Sequence, residues 1–139
     1  MLTYFCTHFF LHTGYGVYAQ KHYFKQEFLL EYPGQLISEK DGEKREKEYP
    51  PDKGSFLYFF KDRGKNYCVD ATNSKGAGRM VNDSIRPNAV MKIVILDNIP
   101  HLCLFALQHI SPGEEIRFDY GVPNLPWRKK VSRLFSESS

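Results

Sequence analysis

Cysteine is scarce and scattered: Cys6, Cys68 and Cys103 are the only three, and none stands in a C-x-x-C pair. That argues against a zinc ribbon or a disulfide framework and for reduced, mostly buried thiols in an intracellular chain. Charge of one sign is scarce too. The 19 basic and 16 acidic side chains leave a formal charge of +3, too little for a dedicated nucleic-acid binder. No apolar run reaches the roughly 20 residues that span a bilayer. The opening MLTYFCTHFFLH lacks the basic start and small-residue cleavage site of a signal peptide and reads as an edge strand or as the artificial-looking start of a truncated domain. His8 and His12 stand four apart, but with aromatic neighbours and no acidic partner they do not make a metal site. No internal repeat or low-complexity linker is present.

Aromatic side chains are what the chain has in excess. Eleven Phe and nine Tyr bring aromatic content to 15%, within an apolar fraction of 42% and a charged fraction of 25%. The balance is that of a globular protein, and the length suits one domain burying about two-thirds of its unfolded surface. Short β-prone runs alternate with turn signals. Gln26 to Tyr32 ends at Pro33-Gly34, and Gln35 to Ser38 follows. One hairpin is expected around Asp62-Arg63-Gly64-Lys65 and another around Asp97-Asn98. Glu39 to Asp52 is dense in charge, with Glu43 and Lys47 spaced i, i+4, and reads as a short solvated helix ending at Pro50-Pro51. The fold class expected is mostly β, with small sheets.

Several segments have the residue types of a site. Gly14-Tyr15-Gly16 permits a sharp turn or close backbone approach to a ligand, a plain turn being the simpler reading. Asn82 and Asp83, in GRMVNDS, are residues that hydrogen-bond backbone at the exit from a strand around Met80-Val81. Asp70, in NYCVDAT, is placed to anchor a loop. In EEIRFDYGV, Phe118 and Tyr120 fall on one face of an extended strand and Asp119 on the other. Trp127 to Ser139 reads as a basic amphipathic helix or a frayed tail.

The order of these segments is more specific than any one of them. A G-x-G, then E-Y-x-G (Glu31, Tyr32, Gly34), Y-C-V-D-A-T, G-R-x-x-N and P-G-E-E-x-x-x-D-Y-G resemble the ordered motifs of a SET domain. The resemblance is closest to the single-SET-domain enzymes that methylate a lysine of the histone-4 tail. It implies a fold of small sheets with a C-terminal pseudoknot, divided as a truncated N-terminal flank (residues 1–12), a SET domain (13–121) and a tail or helix (122–139). It also implies S-adenosylmethionine on one face, a lysine-bearing peptide or histone tail on the other, and a narrow channel between them.

By similarity, Thr13, Gly14, Tyr15 and Gly16 line the methionine end of the cofactor. Asn82 and Asp83 hold it by hydrogen bonds, with Arg79 in support. Phe56 stands where relatives carry a cofactor-contacting tyrosine, and Trp127 stacks on the adenine. Tyr120 orients the amine and Tyr32 belongs to the lysine channel. Phe118 takes the place of the first tyrosine in Y-D-Y-G, a position that resembles a product switch and here leaves room for two or three methyl groups. Asp83 departs from the usual N-H-S. The resemblance implies a nuclear, monomeric methyltransferase acting on a histone tail, presented free or on a nucleosome, with no metal, no membrane and no sequence-specific nucleic acid. A second reading, favoured by Asp83, Phe56 and the short N-terminal flank, is a SET-like module that binds a histone tail or chromatin protein without catalysis.

Overall fold

The structure is a computed structural model that describes residues 5–10, 14–50 and 56–121. Its strands form two sheets. The first contains β1 (Phe5–Phe10), β2 (Gly14–Ala19) and β3 (Phe28–Glu31). The chain then enters the second sheet as β4 (Gln35–Ser38) and continues into the helix α1 (Glu39–Glu48). β5 (Leu57–Asp62) and β6 (Lys65–Asp70) complete that sheet in the order β4-β6-β5. The remaining strands, β7 (Asn82–Asp83), β8 (Ala89–Leu96), β9 (Ile99–Ala106) and β10 (Glu115–Phe118), return to the first sheet. Its order is β1-β2-β10-β8-β9-β3, with β7 beside β10.

Local chemistry accounts for the hairpins. Arg63 and Gly64 both adopt positive φ, as do Asp97 and Asn98, giving two-residue turns whose twist matches the flanking strands. The helix starts at Ser38, whose hydroxyl accepts from Asp41 N at 3.1 Å, and carries Glu39 and Asp41 in its first turn against Arg45 and Lys47 in its last, in keeping with the helix dipole. It stops at Tyr49, before Pro50. Buried Asp70 ties it to β6: the carboxylate accepts from Arg45 Nη1 at 2.9 Å, Tyr49 Oη at 2.5 Å and Thr72 N at 3.0 Å. Burial alone would raise this carboxyl, but the hydrogen bonds from Thr72, Tyr49 and Arg45 outweigh it and hold Asp70 below its ordinary value.

Two local expectations are corrected. Gly14-Tyr15-Gly16 is not a turn but the first half of β2, because tertiary pairing overrides glycine's local preference. β1 pairs along one edge of β2, and Val17 and Tyr18 on the other edge pair with Ile116 and Glu115. Met80-Val81 is not a strand either: Gly78–Met80 is a 3-10 turn, and the strand is Asn82–Asp83 itself, held in parallel pairing with Arg117 and Phe118.

β10 is the hub of the fold. It joins β2 on one side and runs parallel to β7 and to the start of β8, where Phe118 meets Ala89. The connection between β7 and β8 is fastened to it as well. Ser84 N donates to Phe118 O, Asn88 N to Arg117 O and Asn88 Nδ2 to Glu115 O. The main core, including Val17, Leu30, Val81, Leu104, Ile116 and Phe118, gathers around this hub, and a smaller cluster of Tyr32, Val69, Ala71 and Leu102 lies between the sheets.

Candidate active site

The site is assembled where β2, β7 and β10 meet. Asn82 Nδ2 donates to Glu115 Oε2 at 2.7 Å, while Arg117 forks onto Glu115 Oε1 through Nε at 3.0 Å and Nη2 at 2.5 Å. This pair packs directly on the G-x-G strand. A methyl group at Gly16 would lie 2.7 Å from Glu115 Oε2 and 3.2 Å from Asn82 Nδ2. A side chain at Gly16 would have to displace the Glu115 carboxylate and press on the Asn82 amide.

The FDYG segment closes the other flank. Tyr120 Oη donates to the carbonyl of Val81 at 2.7 Å, and Tyr120 N donates to Asp83 Oδ1 at 2.9 Å. The aspartate that departs from N-H-S is thus buried and paired, as a buried carboxylate must be, and it holds the backbone of the tyrosine beside it. Phe118 is buried, and its ring centroid lies 4.9 Å from that of Tyr120. From Phe118 the aromatic run continues to Tyr58 at 6.2 Å and from Tyr58 to Tyr32 at 5.9 Å. Four rings, from three separate segments, make one wall.

Burial, and then the carboxylate of Glu115, push the Tyr120 phenol up to about 12. Burial, then the facing Tyr120, raises Tyr32 beyond the ordinary phenol range, and burial with Asp119 raises Tyr58. The wall stays uncharged at neutral pH.

Gly78 sets the position of Tyr32. A methyl group there would fall inside van der Waals contact of the Glu31 carbonyl oxygen and 2.8 Å from Tyr32 Cα, so the 3-10 turn rests on the backbone that carries the ring. Arg79, next in sequence, donates to Thr72 O at 2.5 Å and lies 5.0 Å above the Phe56 ring. Its Nε is buried without a hydrogen-bond partner. The same arginine lines a cleft of about 550 Å³, bounded also by Thr72, Ser74, Lys75 and Met80.

Among the residues expected from sequence, Gly16, Asn82, Asp83, Phe118 and Tyr120 come together, and Tyr32 joins them through Tyr58. Gly14 and Tyr15 lie on β2, paired with Phe10 and Phe9. Phe56 packs with Arg79 and the Tyr32 cluster. Thr13 and Trp127 lie outside the described residues. Sequence reasoning missed Tyr58 and Glu115. Tyr58 and Phe60 share one face of β5, a signal that could have picked out Tyr58, whereas nothing local tied Glu115 to Asn82.

The SET domain family model matches residues 14–121. The chain is a SET-domain protein. This SET domain is 43% identical over 115 residues to histone-lysine N-methyltransferase Set8 of Drosophila pseudoobscura pseudoobscura, a match over 81% of this chain and 17% of that protein. It is 40% identical over 111 residues to N-lysine methyltransferase KMT5A of Xenopus tropicalis, over 78% of this chain and 33% of the relative. The chain thus spans well under half the length of these relatives. Among solved structures, CpSET8 from Cryptosporidium superposes with a TM-score of 0.80 at 35% identity, covering 86% of this chain and 58% of that one. The Neurospora SET-domain protein DIM-5, a histone lysine methyltransferase, superposes at 0.74 with 25% identity, covering 86% and 52%.

Proposed function

We propose that this SET domain transfers a methyl group from S-adenosylmethionine to a lysine of a protein, a histone-4-like tail, in the nucleus. The observation that carries the reading is the hydroxyl of Tyr120, tied to the carbonyl just before Asn82, at the end of the aromatic wall. A relative named as a histone-lysine methyltransferase and one named as an N-lysine methyltransferase support the substrate class.

The residues present suit the cofactor. The backbone of β2 and the Asn82 amide form a polar edge at Gly16, and Arg79 lines a polar cleft, where a guanidinium suits an acceptor on an anionic or heteroaromatic ligand. Gly14, Gly16, Asn82, Asp83 and Arg79 would hold it, with Thr13, Phe56 and Trp127 proposed on resemblance alone. When bound, the sulfonium supplies the methyl group.

The chain's own residues do the rest by position and electrostatics. A lysine entering between Tyr32, Tyr58 and Phe118 leaves water, and desolvation favours its neutral, nucleophilic form. Tyr120 donates its proton to Val81 O and so presents oxygen lone pairs to the amine, fixing its direction of approach. The ring faces favour the methylated ammonium that forms. Phe118 puts no hydroxyl into the channel, which leaves space for di- or trimethyl product.

Isotopic S-adenosylmethionine with histone-4 peptide and with nucleosomes tests the proposal. Label is expected on lysine, and Tyr120→Phe is expected to lower incorporation by roughly a hundredfold or more. A chain that binds the peptide but neither binds S-adenosylmethionine in calorimetry nor transfers label would be the non-catalytic module instead.

A further inference from the structure

Beyond Ala89, one edge of β8 is paired by no other strand among the described residues. In a hairpin closed by a two-residue turn, the pair flanking the turn is hydrogen-bonded, and the bonded pairs then alternate. Here Leu96 faces Ile99 across Asp97-Asn98, so the even-numbered residues of β8 bond β9. Asn88 O, accepting from Leu107 N at 2.8 Å, keeps this alternation. The odd-numbered residues turn their N–H and C=O groups the other way. Ala89 is met there by Phe118 of β10. For Met91, Ile93 and Ile95, no strand among the described residues pairs on that side.

Edge strands are ordinarily protected by charge, proline or a bulge. The stretch from Val90 to Leu96 reads VMKIVIL, with one charge and no proline, and its register with β9 runs without a shift. Ile93, Ile95, Leu96 and Ile99 are 37%, 40%, 53% and 50% exposed. An edge guarded by a single lysine and exposed aliphatic side chains thus coincide on one half of one hairpin.

We propose that a second copy of this chain pairs antiparallel along this edge, about a two-fold axis through Ile93. The register argues for a copy of itself over a foreign strand. The free stretch, bounded by the β10 contact at Ala89 and the turn at Asp97, has Ile93 at its midpoint. An axis there sets Ile93 opposite Ile93 and Met91 opposite Ile95, so every outward backbone group on both copies finds a partner. Lys92 then faces Val94. An axis at Lys92 would oppose two lysines, which is destabilising, and an axis at Val94 would carry Met91 past the end of the strand. The edge is self-complementary in one register. A contact of this length is smaller than the roughly 800 Å² per partner of a standard interface, so the dimer is weak and dependent on concentration. The contact starts two residues beyond the pairing of Ala89 with Phe118, but it does not rest on the methyl-transfer assignment.

Sedimentation velocity of the whole chain from about 1 to 300 μM tests it, the range in which so small an interface is read. The wild type is expected to move from monomer to dimer mass across the series. Ile93→Lys and Ile93→Glu, each setting like charges face to face on the axis, are expected to remain monomeric, and an equimolar mixture of the two is expected to regain the dimer. Amide exchange on the unaltered chain is the second readout. Protection of Met91, Ile93 and Ile95 should rise with concentration while Lys92 and Val94 stay protected throughout. A wild type monomeric at every concentration, single variants that dimerise like the wild type, or protection gained on another segment would each overturn the proposal.

Discussion

Gly78→Ala tests the mechanical link between the 3-10 turn and the aromatic wall. The added methyl meets backbone, not the end of a flexible side chain: the Glu31 carbonyl oxygen, Tyr32 Cα at 2.8 Å and Glu31 C at 3.0 Å. Because β3 is bonded to β9 immediately before this point, with Tyr32 N donating to Leu102 O at 2.8 Å, the strain is shared between the turn and the strand. Overpacking of this kind costs about 3 kcal/mol, the upper part of its usual range. With an unfolding entropy near 2.1 cal/mol/K per residue, that corresponds to a Tm lower by about 10 °C. A displacement of Tyr32 by about 1 Å is worth about a hundredfold in rate. Differential scanning calorimetry and methyl transfer should therefore both fall. Gly64→Ala is the control. Its site has open space but φ is +80°, so it should lose about 1 kcal/mol from backbone strain alone and keep its rate. A Gly78→Ala protein with unchanged Tm and unchanged transfer would refute the packing argument.

Other expectations follow from the hydrogen bonds and the shifted phenols. Asp70→Asn should lose roughly 1.5–3 kcal/mol at pH 7 in urea melts, as bonds to a charged acceptor do. Because the folded-state carboxyl lies below its ordinary value, the wild type's advantage is complete above about pH 4 and should shrink as the pH falls further; a constant difference down to pH 2 would contradict the assignment. Phe118→Tyr should shift product toward monomethyl-lysine in mass spectra of a methylated peptide, whereas wild-type protein yielding only monomethyl product would remove the proposed role of Phe118. With Tyr120 pushed up to about 12, the rate should show no falling limb from phenol ionisation below about pH 10.

Much of this fold is legible from local chemistry. The Arg63-Gly64 and Asp97-Asn98 turns mark the two hairpins, and the charged run before Pro50 marks the helix. Long-range pairing is what local chemistry could not supply. The G-x-G reads as a turn by propensity and is a strand because β1 pairs along it, while β10 holds the residues that follow it. Asn82 and Asp83 form a strand only by lying parallel to Arg117 and Phe118, which no nearby residue announces. The site shows the same division. Motif order brought Asn82, Phe118 and Tyr120 into one expectation, while Glu115 has meaning only once β2 and β7 have been set on either side of its strand. Asp83 is the instructive case: as a letter it departs from the family pattern, and as a side chain it accepts the backbone N–H of Tyr120.

The central position of β10 also bears on how the molecule forms. Its partners Val17, Asn82 and Ala89 are all made earlier in synthesis, and closing such distant pairs is what slows the folding of β-rich chains. While a ribosome still holds residues 115–118, the two halves of the site have no strand to join them. Completion of the fold and assembly of the candidate site are therefore one event, which a nascent chain cannot reach piecemeal.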